Sequence, residues 1–260
     1  MEIPSKIQDL IGKKFGNASN IGMSGAAVYI YDDVVLKIQT QSSESDRECE
    51  MMRWLDGKLP VPQVIEHIIE NQMSFLLMSK CSGKIACSKE YMRQPKYQAE
   101  LLAGALNDIW RVDWKNCPYH NTLQHKLQQA EYNVSNNLVD INDCDPETFS
   151  VTGFKNPEAL LHWLQDNKPD EELVISHGDF CLPNILFKNG RMTGLIDLGR
   201  AGVADKWCDI ALCYRSTKDN YSGKYDRQWD GYSDQYLFDI LQIKPDWEKI
   251  QYYILLDELF

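Results

Sequence analysis

The sequence lacks most of the features that assign a chain at a glance. No apolar stretch approaches the roughly 18 residues that a membrane-spanning helix needs. The start, Met1-Glu2-Ile3-Pro4-Ser5-Lys6, has no basic segment followed by an apolar one, so it does not read as a secretory signal. No membrane partner is expected, and the chain reads as cytoplasmic. Basic runs stop at Lys13-Lys14, and 27 Lys and Arg face 38 Asp and Glu, leaving a net charge of −11. A surface this acidic repels phosphate backbones, so no nucleic-acid partner is expected; it would attract a polycation. The 8 cysteines contain no C-x-x-C pair and the 5 histidines no H-E-x-x-H pattern, which argues against a zinc site. Scattered cysteines without a signal read as reduced thiols. Repeats and low-complexity tracts are also missing.

What is present is an ordinary globular balance, 43% hydrophobic and 25% charged residues over 260 positions. Residues 26–31 and 34–39 are β-branched and apolar runs, and Asp32-Asp33 between them suits a hairpin turn. In the second run Val34, Leu36 and Ile38 face one way, and Val35, Lys37 and Gln39 the other. A helix is expected to open at Ser45, with Glu48 three residues on as the second half of a capping box. Glu48, Met51, Met52 and Leu55 then share one helical face. A carboxylate on an otherwise apolar face wants a buried cationic partner. Another strand is expected near 74–78. Helical spacing follows over 97–112, 123–138 and 157–167, and from Pro245 to the last residue. The division is thus a strand-rich segment, 1–82, ending in a hinge at 79–83, and a larger helical segment, 83–260.

The most informative stretch is Ser176-His177-Gly178-Asp179-Phe180-Cys181-Leu182-Pro183-Asn184-Ile185-Leu186-Phe187. Asn189-Gly190 follows as a two-residue hairpin turn, and the returning strand leads to Ile196-Asp197. Pairing across the turn sets Lys188 opposite Arg191 and Asn184 opposite Leu195. Asp179, Asn184 and Asp197 therefore converge at the open end of the hairpin. Such an oxygen-rich cluster suits Mg²⁺, which takes one or two carboxylates and completes its octahedron with waters and phosphate oxygens. Either Asp taken alone would read as a turn or cap residue.

These residues resemble the catalytic and metal-binding loops of the protein-kinase-like fold in its antibiotic-kinase form, with H-G-D for H-R-D and Asp197-Leu198-Gly199 for D-F-G. More narrowly, His177 to Asn184, Ile196-Asp197-Leu198-Gly199-Arg200, Ala204-Asp205-Lys206-Trp207 and Gly57-Lys58-Leu59-Pro60-Val61-Pro62 are similar to the aminoglycoside 3′-phosphotransferases. So is the end, from Ile243-Lys244-Pro245 to Leu256-Asp257-Glu258-Leu259-Phe260, which is closest to the type III enzyme. The resemblance implies an α+β fold of two lobes, a small β-rich N-lobe and a larger, mostly helical C-lobe. It implies ATP, with GTP as an alternative donor, and Mg²⁺. In its terms Lys37 contacts the donor phosphates and Glu48 holds Lys37. Met23 and Ser24, within Gly22-Met23-Ser24-Gly25, cover the phosphates, and the backbone at Ser79 and Cys81 pairs with adenine. Asn184 and Asp197 hold the metal, and Asp179 accepts or orients the proton of the attacking hydroxyl.

On the acceptor side the resemblance implies an aminoglycoside bound by Asp257, Glu258 and Phe260, with Arg200, Asp219, Asp145 and Glu147 as further contacts. The tail fits: acids at a helix C-terminus sit at its unfavourable end, and a bound ammonium would offset that repulsion. Tolerated surface acids are the competing reading of the tail. Two departures stand out. Val35 replaces an aromatic that some relatives set against adenine, which leaves GTP open. Phe180-Cys181-Leu182-Pro183 replaces a Gly- and Asp-containing stretch of the enzyme with the most similar tail, while other members carry Cys-Leu-Pro. The competing functions are a choline, homoserine or sugar kinase of the same fold, a non-catalytic nucleotide-binding module and a metal-dependent phosphohydrolase. The assembly expected is a monomer or weak homodimer.

Overall fold

The computed structural model describes residues 2–12, 17–19 (backbone only) and 26–260. Its N-terminal part is one antiparallel sheet flanked by two helices. The strands are β1 (Asn17–Ser19), β2 (Ala27–Ile30), β3 (Val34–Thr40), β4 (Val64–Glu70) and β5 (Met73–Ser79), in the order β1-β2-β3-β5-β4. Helix α1 (Ser5–Ile11) and helix α2 (Ser43–Leu55) complete this part. Strand alternation sorts the side chains between the helices. Leu36, Ile38, Phe75 and Leu77 form one core with Ile7 and Ile11 of α1. Leu76 and Met78 share another with Met51, Met52 and Leu55 of α2. Helix α1 was not expected, since its seven residues hold only two buried positions, Ile7 and Ile11.

Helix α2 starts two residues before Ser45. Ser42 is its cap: the Ser42 hydroxyl accepts from the Ser45 N–H (3.1 Å), and the Ser45 hydroxyl accepts from the Ser42 N–H (2.9 Å). The reciprocal box is thus built from two serines, which leaves Glu48 free to serve elsewhere.

The larger part is mainly helical. In chain order it holds β6 (Lys84–Ile85), α3 (Lys89–Met92), α4 (Pro95–Trp110), α5 (Leu123–Ser135), α6 (Pro157–Asp166) and β7 (Leu173–Ser176). Then come β8 (Ile185–Lys188), β9 (Arg191–Leu195), β10 (Gly202–Asp205), α7 (Lys206–Ser222), α8 (Gln235–Leu241) and α9 (Trp247–Asp257). Strands β6, β8 and β9 form one small sheet, and β7 and β10 another. One core cluster joins α5, α6, α7 and α9 through residues such as Leu127, Leu160, Ile210 and Leu256. Among the described residues no helix is long and apolar enough to cross a membrane.

The hairpin differs from expectation by one residue. Asn189 (φ 52°) and Gly190 (φ 74°) form the turn and Lys188 opposes Arg191, but a bulge at Thr193 then sets Ile185, not Asn184, opposite Leu195. The Asn184 carbonyl instead accepts from the Ile196 N–H (3.0 Å). The extra residue brings Asp197 to the position directly beyond Asn184. Helix α9 begins at Trp247 with Asp246 as its cap, two residues after Pro245.

All eight cysteines are free thiols. Burial is the leading cause that pushes every one of them above its ordinary value, Cys81 to about 11 and Cys144, beside Glu258, to about 12.

Asp205 fastens the helical part. Its fully buried carboxylate accepts from the N–H groups of Trp207 and Glu172 (3.2 Å each), the Tyr253 hydroxyl (2.8 Å) and Lys249 Nζ (3.4 Å). Asp205→Ala would take the acceptor from all four donors and leave only Lys249 another, the Asp170 carbonyl. A loss of about 3–5 kcal/mol is expected in equilibrium denaturation, and a loss within the error of the measurement would refute this role.

Candidate active site

The site is assembled around Lys37. Strand alternation turns this residue of β3 toward α2, and Glu48 is the one carboxylate on the apolar face it meets. Both are buried, and Lys37 Nζ lies 3.0 and 2.9 Å from the two Glu48 oxygens. It also lies 2.7 Å from Asp197 Oδ1. Burial by itself disfavours the ammonium, but Glu48 and Asp197 more than offset this and hold Lys37 above its ordinary pKa. Burial likewise pushes Asp197 up, and Lys37 reverses the balance so that its carboxyl ends below the usual range.

The second half is the loop from Ser176 to Asn184. It is held from beneath by Asp209 of α7, which has no solvent exposure. Asp209 accepts from the Ser176 hydroxyl (2.9 Å) and from the N–H groups of His177 (3.2 Å) and Gly178 (3.1 Å). Burial, countered by these contacts and by His177, leaves the Asp209 pKa raised. His177 is spent on structure. Its Nε2 donates to the Ile196 carbonyl (3.0 Å), and its Nδ1 accepts from the Asp179 N–H (3.3 Å). It thereby ties Asp179 to the strand that leads into Asp197. Gly178 has φ +80°, and a Cβ there would lie 2.0 Å from the Arg200 carbonyl oxygen. The middle residue of H-G-D is therefore glycine for two reasons, handedness and space.

Asp179 is half-buried. Asn184, in the 3₁₀ turn Leu182–Asn184, donates its amide to the Asp179 carbonyl (3.0 Å) and to Asp179 Oδ2 (2.8 Å). That fixes the Asn184 amide with its Oδ1 left over. Asp197 has left-handed backbone (φ 64°, ψ 56°) and gives only Oδ1 to Lys37. Among the described residues Asn184 Oδ1 and Asp197 Oδ2 have no protein partner. One amide oxygen and one carboxylate oxygen form a donor set suited to a hard divalent cation that takes its other ligands from phosphate and water.

Lys37, Glu48, Asp179, Asn184 and Asp197 are thus brought together. Met23 and Ser24 lie outside the described residues. At the end of β5 the Ser79 N–H donates to the Gln63 carbonyl (2.9 Å) and so is already engaged, whereas the Cys81 N–H has no partner among the described residues.

The tail forms an adjoining network. Asp257 binds Arg200 NH1 through Oδ1 (3.0 Å) and Arg215 NH2 through Oδ2. Burial raises the Asp257 pKa, but the two guanidinium groups outweigh it and hold the carboxyl below the usual range. Glu258 is buried, meets Arg215 NH1 at 3.5 Å and accepts from the Asp145 N–H (2.7 Å). Burial leaves its pKa raised. Arg200 also meets Glu44 of α2 (3.5 Å) and stands over the Phe260 ring (5.5 Å). Asp219, one turn beyond Arg215 on α7, binds Lys224 Nζ (2.9 Å) and the Tyr225 hydroxyl (3.4 Å). The Asp145 and Glu147 side chains are exposed; the Glu147 N–H donates to Asp145 Oδ1 (3.0 Å). Arg215 and Asp209 escaped the sequence reading. The available signals were the tail acids' want of a cation and the position of Arg215 four residues before Asp219.

Residues 20–253 match the model of the phosphotransferase enzyme family. The chain is 41% identical to an aminoglycoside 3′-phosphotransferase of Enterococcus faecalis and 40% identical to one of Staphylococcus aureus, covering 100% of this chain and 99% of the relative in each case. Among solved structures it resembles an aminoglycoside-3′-phosphotransferase of type VIII, with a TM-score of 0.84, 28% identity and coverage of 98% of this chain and 97% of the other.

Gly178→Ala tests the loop. Gly12 shares the positive φ (+66°) but has open space around it, so Gly12→Ala carries only the backbone strain. Gly178→Ala is expected to cost at least about 2 kcal/mol more than Gly12→Ala in equilibrium denaturation. Equal costs would show that the loop accommodates a side chain there.

Proposed function

The chain belongs to the phosphotransferase enzyme family and, within it, to the aminoglycoside 3′-phosphotransferases, and on that premise we propose that it transfers the γ-phosphoryl group of ATP to the 3′-hydroxyl of an aminoglycoside such as kanamycin or neomycin. The biological outcome is resistance to the drug. The observation that carries this reading is the convergence of Lys37, Glu48, Asp179, Asn184 and Asp197 beside a rim of acids. A phosphohydrolase would have no use for the Lys37–Glu48 pair, and a non-catalytic module no use for a half-exposed Asp179.

Residues 1–82 act in this reading as the nucleotide lobe and residues 83–260 as the catalytic and acceptor lobe. Lys37, held by Glu48, supplies a fixed positive charge to the donor phosphates. The family resemblance assigns the covering of those phosphates to Met23 and Ser24, which lie outside the described residues, and the adenine to the backbone around Ser79 and Cys81. Val35 at the base position leaves room for GTP as well. Asn184 Oδ1 and Asp197 Oδ2 would hold Mg²⁺, which when bound neutralises the charge of the phosphate oxygens. Asp179 orients the attacking hydroxyl with the oxygen that Asn184 does not engage, and takes up its proton. Phosphoryl transfer has a loose transition state, so positioning and electrostatics supply most of the acceleration.

On the acceptor side, Asp257 and Glu258 are largely satisfied by Arg200 and Arg215. Their part is to shape the rim and hold the loop that carries Asp145 and Glu147. The exposed carboxylates of Asp145 and Glu147, Asp219 with its exposed Lys224 partner, and Phe260 are left to meet the drug's ammonium groups. The enzyme works in the cytoplasm, as a monomer or weak homodimer.

Two measurements test this. Kanamycin incubated with the protein, Mg²⁺ and ATP is expected to gain one phosphoryl group by mass spectrometry, placed on the 3′-oxygen by NMR; choline or homoserine modified in its place would transfer the protein to another small-molecule kinase class. Asp179→Ala is expected to lower kcat by at least about 10²-fold while the dissociation constant for ATP stays nearly unchanged, because Asp179 faces the hydroxyl and not the nucleotide. Wild-type turnover in that variant would contradict the role.

A further inference from the structure

A cavity of about 220 Å³ opens where the first turn of α2 meets α5, α7 and α9. It borders the site described above at Gly178, Arg200, Asp257 and Phe260, but Lys37, Asp179, Asn184 and Asp197 do not line it. Its volume is more than ten times the roughly 10–15 Å³ that a single water requires by the same measure. The wall is mixed: Ser42, Asn121, Gln129 and Asn133 supply polar groups, and Leu212, Leu256 and Phe260 apolar ones.

The charge on that wall is unusual for so acidic a protein. Three cations line it: Arg47, Lys126 and Arg200. Two side-chain carboxylates line it as well, those of Glu44 and Asp257, and both are engaged. Asp257 divides its oxygens between Arg200 and Arg215, the latter outside the cavity, and Glu44 meets Arg200 at 3.5 Å. The Lys126 ammonium has no hydrogen bond or ion pair among the described residues. Arg47 has no carboxylate partner there either. One of its terminal nitrogens donates to Asn121 (2.9 Å), its guanidinium lies over the Tyr119 ring (4.8 Å), and its Nε is shut off from solvent without an acceptor. The Ser43 and Glu44 residues that line the cavity are the first two of the 13-residue helix α2, and the Ser42 cap serves only the Ser45 N–H. Their own N–H groups have no protein acceptor among the described residues, and they stand at the positive end of the helix dipole.

We propose that this cavity is a second ligand site, distinct from the phosphoryl-transfer centre, which binds a phosphate-sized oxyanion through Lys126, Arg47 and the first-turn amides of α2. Unpaired cations and unpaired amides facing a space of this size ask for an anion. The bound anion joins α5 to α2, the helix that carries Glu48, so occupation reports on the same helix that positions Lys37.

The test uses inorganic phosphate as the probe and the full chain, with a non-hydrolysable ATP analogue and Mg²⁺ saturating the donor site so that phosphate cannot enter there. Isothermal calorimetry is expected to show saturable binding of one phosphate, and a thermal melt an upward shift of the unfolding midpoint. Lys126→Gln is expected to weaken that binding about tenfold, the equivalent of one charge-assisted hydrogen bond, while Lys126→Arg retains it. Gln129→Glu, which sets a carboxylate on the same wall at an exposed position, weakens it as well. Kanamycin turnover without added phosphate stays within about twofold in each variant, since none of these residues belongs to the transfer machinery. Absence of saturable binding would overturn the proposal, as would equal affinity in the wild type, Lys126→Gln and Gln129→Glu.

Discussion

A single ammonium group organises the molecule. Lys37 Nζ is withdrawn from water and held between Glu48 and Asp197, so β3, α2 and the segment after β9 must all arrive at one point. A buried unpaired charge costs several kcal/mol, and that penalty makes each carboxylate's position obligatory. It also explains how Asp197 is kept in a left-handed conformation that most residues avoid. The Asp197 carboxylate is drawn to the ammonium from one side, and the preceding carbonyl, of Ile196, is pinned by His177 on the other. The same imidazole positions the Asp179 backbone, so the donor and acceptor halves of the site share one mechanical link.

The carboxylates divide into those that build and those that remain open. Asp205 and Asp209 are fully buried and spend their oxygens on N–H and hydroxyl donors. Asp257 and Glu258 spend theirs largely on arginines. Around the tail, Asp145 and Glu147 present their side chains to solvent. A net charge of −11 therefore overstates what a polyamine can reach. Much of the negative charge around the tail is already balanced within the chain, and the cavity at α2 has the opposite bias.

Much of the centre was legible because its residues lie close in sequence or follow simple periods. The alternation in β3, the helical face Glu48-Met51-Met52-Leu55 and the Asn189-Gly190 turn are local patterns, and the structure repeats them. The errors are also local. The capping box was assigned to Ser45 and Glu48 because S-x-x-E fits the pattern, but Ser42 with Ser45 fills it, and the pull of Lys37 on Glu48 is a tertiary effect. The bulge at Thr193 has no mark in the pattern, so the hairpin register slipped by one. Helix α7 went unread because its buried positions run almost without a break from Trp207 to Cys213 and then to Thr217, with Asp209 and Ser216 among them. A helix enclosed on most sides has no apolar stripe to detect. Arg215 and Asp209 on that helix were missed for the same reason, and the acids of the tail could not announce which cations would claim them.

The thiols have a pharmacological consequence. One cysteine stands two residues after Asp179 and another two residues after the end of β5, which makes both tempting anchors for electrophilic inhibitors. Yet the thiolate is the reacting species, and a thiol at about 11, as at Cys81, is ionised in about one molecule in ten thousand at neutral pH. The Cys181 thiol is also raised well above its ordinary value, by burial and by the Asp179 carboxylate beside it. Warheads that depend on an acidic thiol will pass this enzyme by; capture will require a reversible ligand that dwells long enough for a sluggish sulfur to react.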